Sequence, residues 1–270
     1  MTQAQEHIHA TYLGGPTVIL EIEGIRFMTD PTLDEKGTTY RLGDLVLEKT
    51  LDPFITSGTD VGNIDYVLLS HHQHQDNLDN KGQELLKHVK KVYTTEDGAA
   101  SLGNNTVGLS PWQSDMITTA DHTQIIITAT PARHGPAGTE YITGEVIGFL
   151  ITVKKETAYK KETSYQLYIT GDTVFYDGVQ AVAQKSSPSY VFAFAGAVLH
   201  WESLYMTMND SDLVNSAFAF PEATIIPVHF EGWRHYSRSG KDVAQTFERL
   251  GIGHKLLLLD RGVITELPLN

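Results

Sequence analysis

A mixed α/β fold is predicted by three features of the sequence. Short apolar runs of strand length alternate with amphipathic helical stretches through much of the chain, and an antiparallel meander opens it. The length, 270 residues, supplies a core large enough to need no disulfide or structural metal. Hydrophobic residues at 41% and charged residues at 20% lie near the averages of globular proteins, which excludes a disordered chain, a collagen-like repeat and a coiled coil. No repeat, low-complexity tract or composition shift interrupts the chain, so one domain over 1–270 is expected.

The meander comprises strands at 8–13, 17–22 and 25–29, with a turn at Glu23 and Gly24 and an end at Asp30 and Pro31. Periodicity is lost from 33 to 62 while Gly, Thr, Asp and Pro accumulate, which predicts a long loop of the kind that covers a site. Residues 65–70 form an apolar run suited to a strand buried on both faces. That strand feeds directly into His71-His72-Gln73-His74-Gln75-Asp76-Asn77. A helix over 79–89, with Asp79 as N-cap, leads to a strand at 91–95. Further strands are expected at 123–130, 145–153, 165–170, 190–194, 223–228 and 255–259, with helices near 174–183, 210–219 and 241–250. Gly251 suits the C′ position of the last helix, and the Lys- and Glu-rich stretch 154–164 suits a hairpin tip.

Charge and cysteine content narrow the function. Twenty Lys+Arg against 33 Asp+Glu leave a formal net charge of −13, which repels phosphate backbones and anionic lipid, so no nucleic-acid partner is expected. With no cysteine, disulfides, thiolate zinc sites, iron–sulfur clusters and thiol nucleophiles are excluded. Residues 1–15 lack a basic stretch followed by an apolar core, and no apolar run is long enough to span a bilayer. The expectation is a cytoplasmic protein without integral membrane association, acting on a small molecule, with homo-oligomerisation left open. Twelve histidines are the compositional oddity.

Several of those histidines sit where predicted strands stop. The strand before Ser70 ends at the His71–Asn77 cluster, the next at Arg133-His134, another at Gly171-Asp172-Thr173, and the strand at 223–228 at His229. Loops leaving neighbouring strand ends converge, so His72, His74, Asp76, His134, Asp172 and His229 are expected around one point. Alternation of His72, His74 and Asp76 would aim all three the same way in an extended or tight-loop backbone. Imidazole and carboxylate ligands suit one or two divalent transition metal ions, zinc first, manganese or iron as alternatives. His7, His9, His88, His122 and His254 are read as solvated or hydrogen-bonded, and Trp112, Trp201, Tyr205 and Trp233 as core more than substrate platform.

These motifs resemble the metallo-β-lactamase fold hydrolases, and within them the branch of the L-ascorbate phosphate lactonases and N-acylphosphatidylethanolamine phospholipase D. The resemblance spans nearly the whole chain, from Gly14-Gly15-Pro16-Thr17 and Asp30-Pro31 through the histidine cluster to Pro227-Val228-His229-Phe230-Glu231-Gly232-Trp233. It implies a four-layer αβ/βα sandwich with metals at one edge between two sheets. By residue, it implies that His72, His74 and His134 hold a first metal, that Asp172 bridges, and that Asp76 and His229 hold a second. One extra residue separates Ser70 from the alternating trio, so either His71 or His72 is the ligand, and Asn77 stands where the family has a histidine. The implied activity is hydrolysis by a metal-activated water, with Asp76 orienting the water and taking its proton and His235 as acid or oxyanion partner. A lactone or small ester is the first substrate expectation and a phosphodiester the second. A redox enzyme or a silent metal-binding module are the alternatives, with a nuclease disfavoured by charge.

Overall fold

Strands with apolar residues on both faces need a layer on each side, and this chain supplies it with two sheets and two helical layers. The computed structural model describes residues 7–42, 45–54, 61–103, 105–157 and 160–269. The chain begins with β1 (His7–Gly14), β2 (Thr17–Ile22) and β3 (Ile25–Thr29), then a hairpin of β4 (Thr39–Leu42) and β5 (Leu45–Glu48). Next come β6 (Tyr66–Leu68), α1 (Asn80–Leu86), β7 (Lys91–Thr94), α2 (Glu96–Leu102), β8 (Thr106–Gly108), β9 (Ser114–Thr118) and β10 (Gln124–Pro131). The short α3 (Glu140–Thr143) precedes the long hairpin of β11 (Ile147–Thr157) and β12 (Lys160–Ile169), then α4 (Asp177–Lys185) and β13 (Tyr190–Phe194). A small hairpin, β14 (Leu199–His200) and β15 (Leu204–Tyr205), is followed by α5 (Asp210–Ala219), β16 (Thr224–Val228), α6 (Gly240–Arg249) and β17 (Ile264–Pro268).

Seven strands form one sheet in the order β17-β1-β2-β3-β6-β7-β8, and six form the other in the order β16-β13-β12-β11-β10-β9. Leu20, Phe27 and Leu68 of the first sheet meet Ile127, Phe149 and Phe192 of the second in the central core. The alternate residues point outward: Val191 and Ala193 pack under Val179, Leu213 and Phe247 of α4, α5 and α6. On the opposite outer face Met28, Val67 and Val92 pack with Leu86 of α1. The result is the four-layer αβ/βα order. Within the first sheet β3, β6 and β7 run parallel, and in the second β12, β13 and β16 run parallel while β10 and β12 each lie antiparallel to β11. The C-terminal ends of β3, β6, β10, β12 and β16 therefore face one edge of the sandwich, where ligands of open α/β sheets gather.

Some elements differ from the sequence expectation. The 33–62 stretch contains the β4–β5 hairpin, in which Leu47 is buried and Leu42 pairs with Leu45; residues 43–44 and 55–60 of that stretch lie outside the described set. The expected strand at 255–259 is instead a 3₁₀ turn, Gly253–Lys255, followed by irregular chain with two isolated bridges, Leu256 to Ile225 and Arg261 to Tyr12. This run crosses between sheets: Leu259 enters the central core, and β17 then pairs with β1. The expected hairpin tip at 154–164 is mostly strand, because β11 and β12 extend past the core as a ribbon; residues 158–159 lie outside the described set. Asp79 caps α1 as expected, accepting from the Gly82 amide at 2.8 Å. The helix expected at 174–183 starts later, at Asp177.

Candidate metal centre

Ser70 follows the buried strand β6, and its backbone N–H and hydroxyl both donate to Asp30 Oδ1, at 3.0 and 2.6 Å. That carboxylate sits at the end of β3, beside β6 in the sheet, so pairing of the two strands holds the start of the histidine loop. The chain then bends at His72–Gln73 and turns after His74, whose carbonyl accepts from the Asn77 and Leu78 amides. The bend breaks the expected alternation. His71 and His74 meet, with His71 Nε2 3.0 Å from His74 Nδ1, and His134 Nε2 reaches the same His74 Nδ1 at 3.3 Å. His72 falls outside this group: it is half-buried, its backbone N–H donates to Gln73 Oε1, and its charged neighbour is Asp97. The loop is neither extended nor a turn that keeps the three aligned: the bend at 72–73 turns His71 inward in place of His72.

Asp172 lies between two sets of imidazoles. It follows Gly171, whose φ is +62° and where a Cβ would come within 2.5 Å of the Ile147 carbonyl oxygen, so only glycine fits this turn. Asp172 Oδ2 lies 3.4 Å from His134 Nε2 and 3.9 Å from His71 Nε2, while Oδ1 lies 2.9 Å from His229 Nδ1. His71, His74, His134 and Asp172 together offer ligand atoms within 4.8 Å of one another, all buried. His229 in turn approaches Asp76 Oδ2 at 3.6 Å, and His235 Nε2 lies 2.9 Å from that same oxygen. Asn77 joins neither group; it is buried and its amide donates to Asp30 Oδ1 at 3.4 Å.

Neighbouring groups fix the ring tautomers. With Ser70 donating to Asp30, its oxygen accepts from His71 Nδ1–H at 2.9 Å, which leaves the His71 Nε2 lone pair turned to the cluster. His134 Nδ1–H donates to the Met206 carbonyl at 2.7 Å and presents Nε2 in the same way. Sequence reasoning had Asp30 and Ser70 in its motif but gave them no role. Tyr236 it missed outright: its half-buried ring, with the hydroxyl turned inside, packs edge-on to His229 and His235, with centroids 4.9 and 4.6 Å away, and one tyrosine three residues past a motif carries no sequence signal.

The charges are sharply divided. Burial, with repulsion from the neighbouring imidazole, holds His71 well below the ordinary range and His74 down at about 4, so both are neutral near pH 7. Burial also pulls against a charged His229, but Asp172 and Asp76 outweigh it and lift the value to about 10. Burial opposes ionisation of those two carboxylates as well, yet the surrounding histidines hold both well below the usual range. Burial, with repulsion from Asp172, pushes Asp30 up to about 8 against the hydrogen bonds from Ser70 and the pull of His229. Several buried atoms here lack a hydrogen-bond partner, among them Asp172 Oδ1 and both ring nitrogens of His229. The 2.9 Å approach of Asp172 to His229 is thus close without being aligned as a hydrogen bond. Such orphaned atoms are costly in a dry interior, and convergent lone pairs of this kind fit a divalent cation.

A cavity of about 100 Å³ opens over His74, Asp76, His134 and His235, walled by apolar side chains that include Leu47, Ile142 and Met206. Its described lining contains no Lys or Arg, and Asp76 is its one carboxylate.

No family model matches the chain. The UPF0173 protein YddR of Bacillus subtilis (strain 168) is 23% identical over 263 residues, which cover 94% of this chain and 98% of the relative. Among solved structures, isothiocyanate hydrolase from Delia radicum gut bacteria superposes with a TM-score of 0.77 at 23% identity, covering 97% of this chain and 100% of the other. The metallo-β-lactamase fold protein YhfI from Bacillus subtilis superposes with a TM-score of 0.57 at 13% identity, covering 96% of this chain and 99% of the other. Layer order, sheet topology and these superpositions agree: the chain has the metallo-β-lactamase fold, with a buried His/Asp cluster at the sandwich edge.

Proposed function

We propose that the protein is a metal-dependent hydrolase acting on a small neutral electrophile, an ester or lactone first. The observation that supports this most is the set of buried, tautomer-fixed imidazoles and carboxylates under an apolar cavity. In this reading His71, His74, His134 and Asp172 hold one divalent ion, zinc first. Asp172, His229 and Asp76 would hold a second, Asp172 facing His134 through Oδ2 and His229 through Oδ1. The ions, when bound, supply water activation near neutral pH and polarise the oxygen of the scissile group. Asp76 orients the attacking water and accepts its proton. His235, hydrogen-bonded to Asp76, carries a proton onward to the leaving group. Apolar walls exclude bulk water and hold an uncharged substrate. The lack of a described Lys or Arg in the lining ranks a phosphodiester lower, since its charge would be unmatched. The similarity to an isothiocyanate hydrolase supports a neutral carbon electrophile. Assay of metal-reconstituted protein on phenyl acetate, a simple lactone, benzyl isothiocyanate and bis-p-nitrophenyl phosphate tests the reading; it predicts turnover of the neutral compounds above the diester. Turnover of none of them, with metal bound, would contradict it.

Two further outcomes are expected. Metal uptake at pH 7 should release about one proton, because His229 is held protonated up to about pH 10 without a cation while His71 and His74 are already neutral. Titration calorimetry in buffers of different ionisation enthalpy reads that number directly, and release of none would show His229 outside the site. Ser70→Ala should weaken metal affinity by roughly 10–100-fold by freeing the His71 tautomer, measured by competition with a chelator.

A further inference from the structure

Three elements wall the cavity over the cluster, and each continues its apolar surface outward. Pockets that enclose a drug-sized ligand usually run to about 300–1,000 Å³; at about 100 Å³ this one admits a reacting head and little more. At its mouth Leu45 of β5 and Leu199 of β14 line the cavity while remaining more than a third exposed. Tyr205 stands directly opposite Leu199 across the β14–β15 ladder, which places the two side chains on one face. Tyr141, next to the cavity residue Ile142 on α3, is 82% exposed, and Trp201 is 66% exposed. The Trp201 ring lies 4.2 Å, centroid to centroid, from His200, itself a cavity residue. Trp201 and Glu202 adopt φ of +49° and +59°, conformations that side chains this large avoid. The β14–β15 tip is therefore held in a strained shape that sets an indole beside the opening.

Isolated exposed apolar residues need no explanation, but several gathered beside one opening do. We infer that this collar binds the hydrocarbon tail of an amphiphilic substrate whose small polar head is the group hydrolysed in the cavity, an inference that rests on the proposed hydrolase activity. The collar is continuous with the cavity walls through Leu45 and Leu199, which favours a substrate tail over a second copy of the chain. No Lys or Arg is found in the described cavity lining to pair with an anionic substrate, and a net charge of −13 opposes docking on anionic bilayers.

Two measurements on the 270-residue chain test this. Neutral n-alkanols from butanol to decanol, titrated into metal-free protein and followed by tryptophan emission, should bind with affinity that rises about twofold to fourfold per methylene. In metal-reconstituted protein, kcat/KM for p-nitrophenyl esters from acetate to decanoate should rise with a similar slope. Trp201→Ser and Tyr205→Ser should flatten both slopes. Ester hydrolysis with no dependence on chain length, and alkanol binding equally flat, would overturn the collar and leave the hydrolase reading standing. Rising alkanol affinity without hydrolysis of any ester would leave the collar standing as a hydrocarbon site and remove its assignment to a hydrolysed substrate. A concentration-dependent dimer that Trp201→Ser dissolves would overturn the proposal in favour of a second chain.

Discussion

Asp172→Ala is expected to lose most of the bound metal and to lower hydrolysis on the order of 10³-fold or more, with the fold retained. Asp172 is 1% exposed, and its two oxygens face different imidazole sets, Oδ2 toward His71 and His134 and Oδ1 toward His229. A single carboxylate so placed offsets the repulsion of two cations a few ångströms apart, and alanine removes that charge from both sides at once. The same change strips His229 of the larger of its two carboxylate partners, so its raised pKa should fall. Metal content, turnover and circular dichroism on the variant check the three parts. Full metal content with near-normal turnover would remove the bridging assignment and most of the two-metal account.

The second large effect is on stability and lies just behind the site. Lys49 follows β5, is 3% exposed, and its ammonium lies 3.1 Å from Asp79 Oδ2 and over the Trp233 ring at 5.4 Å. It also donates to the Thr32 carbonyl at 2.5 Å. Burial lowers its pKa and Asp79 counters that. Lys49→Met therefore leaves the Asp79 carboxylate buried without its cation, held only by the Asp34 and Gly82 amides, a class of change that costs about 3–5 kcal/mol. For a chain of this size that corresponds to a Tm lower by roughly 10 °C. Because Asp79 caps α1 directly after the histidine loop, the β4–β5 wall should loosen from the cluster as well. Thermal unfolding of Lys49→Met and of the Lys49→Met/Asp79→Leu pair measures it: the double variant should recover part of the loss, and a single variant within about 1 kcal/mol of the parent would show the pair to be screened.

What the sequence made legible follows from which forces act locally. Strands buried on both faces, such as β6 and β13, announce themselves as apolar runs, and capped helices such as α1 and α5 by their Asp or Asn at the N-cap. The convergence of His74, Asp76, His134, Asp172 and His229 was readable because each follows the end of a strand. The choice between His71 and His72 was not, because it turns on a bend at residues 72–73 that is set by the Ser70–Asp30 hydrogen bonds, a contact between residues 40 positions apart. Tertiary pairing also decided β17, whose one fully buried residue, Leu267, gives no periodic signal. Trp201 and Tyr205, expected in the core, are exposed because their hairpin turns outward at the cavity mouth, whereas Trp233 is buried as expected.

Turnover of chelator-stripped protein as zinc is restored tests the central claim most directly. Hydrolysis of phenyl acetate should be absent from the stripped protein and should rise with added zinc until the cluster of His71, His74, His134 and Asp172 and its neighbour at Asp76 and His229 are filled, at no more than two equivalents. Stripped protein that hydrolyses the ester as fast as the reconstituted form would contradict it.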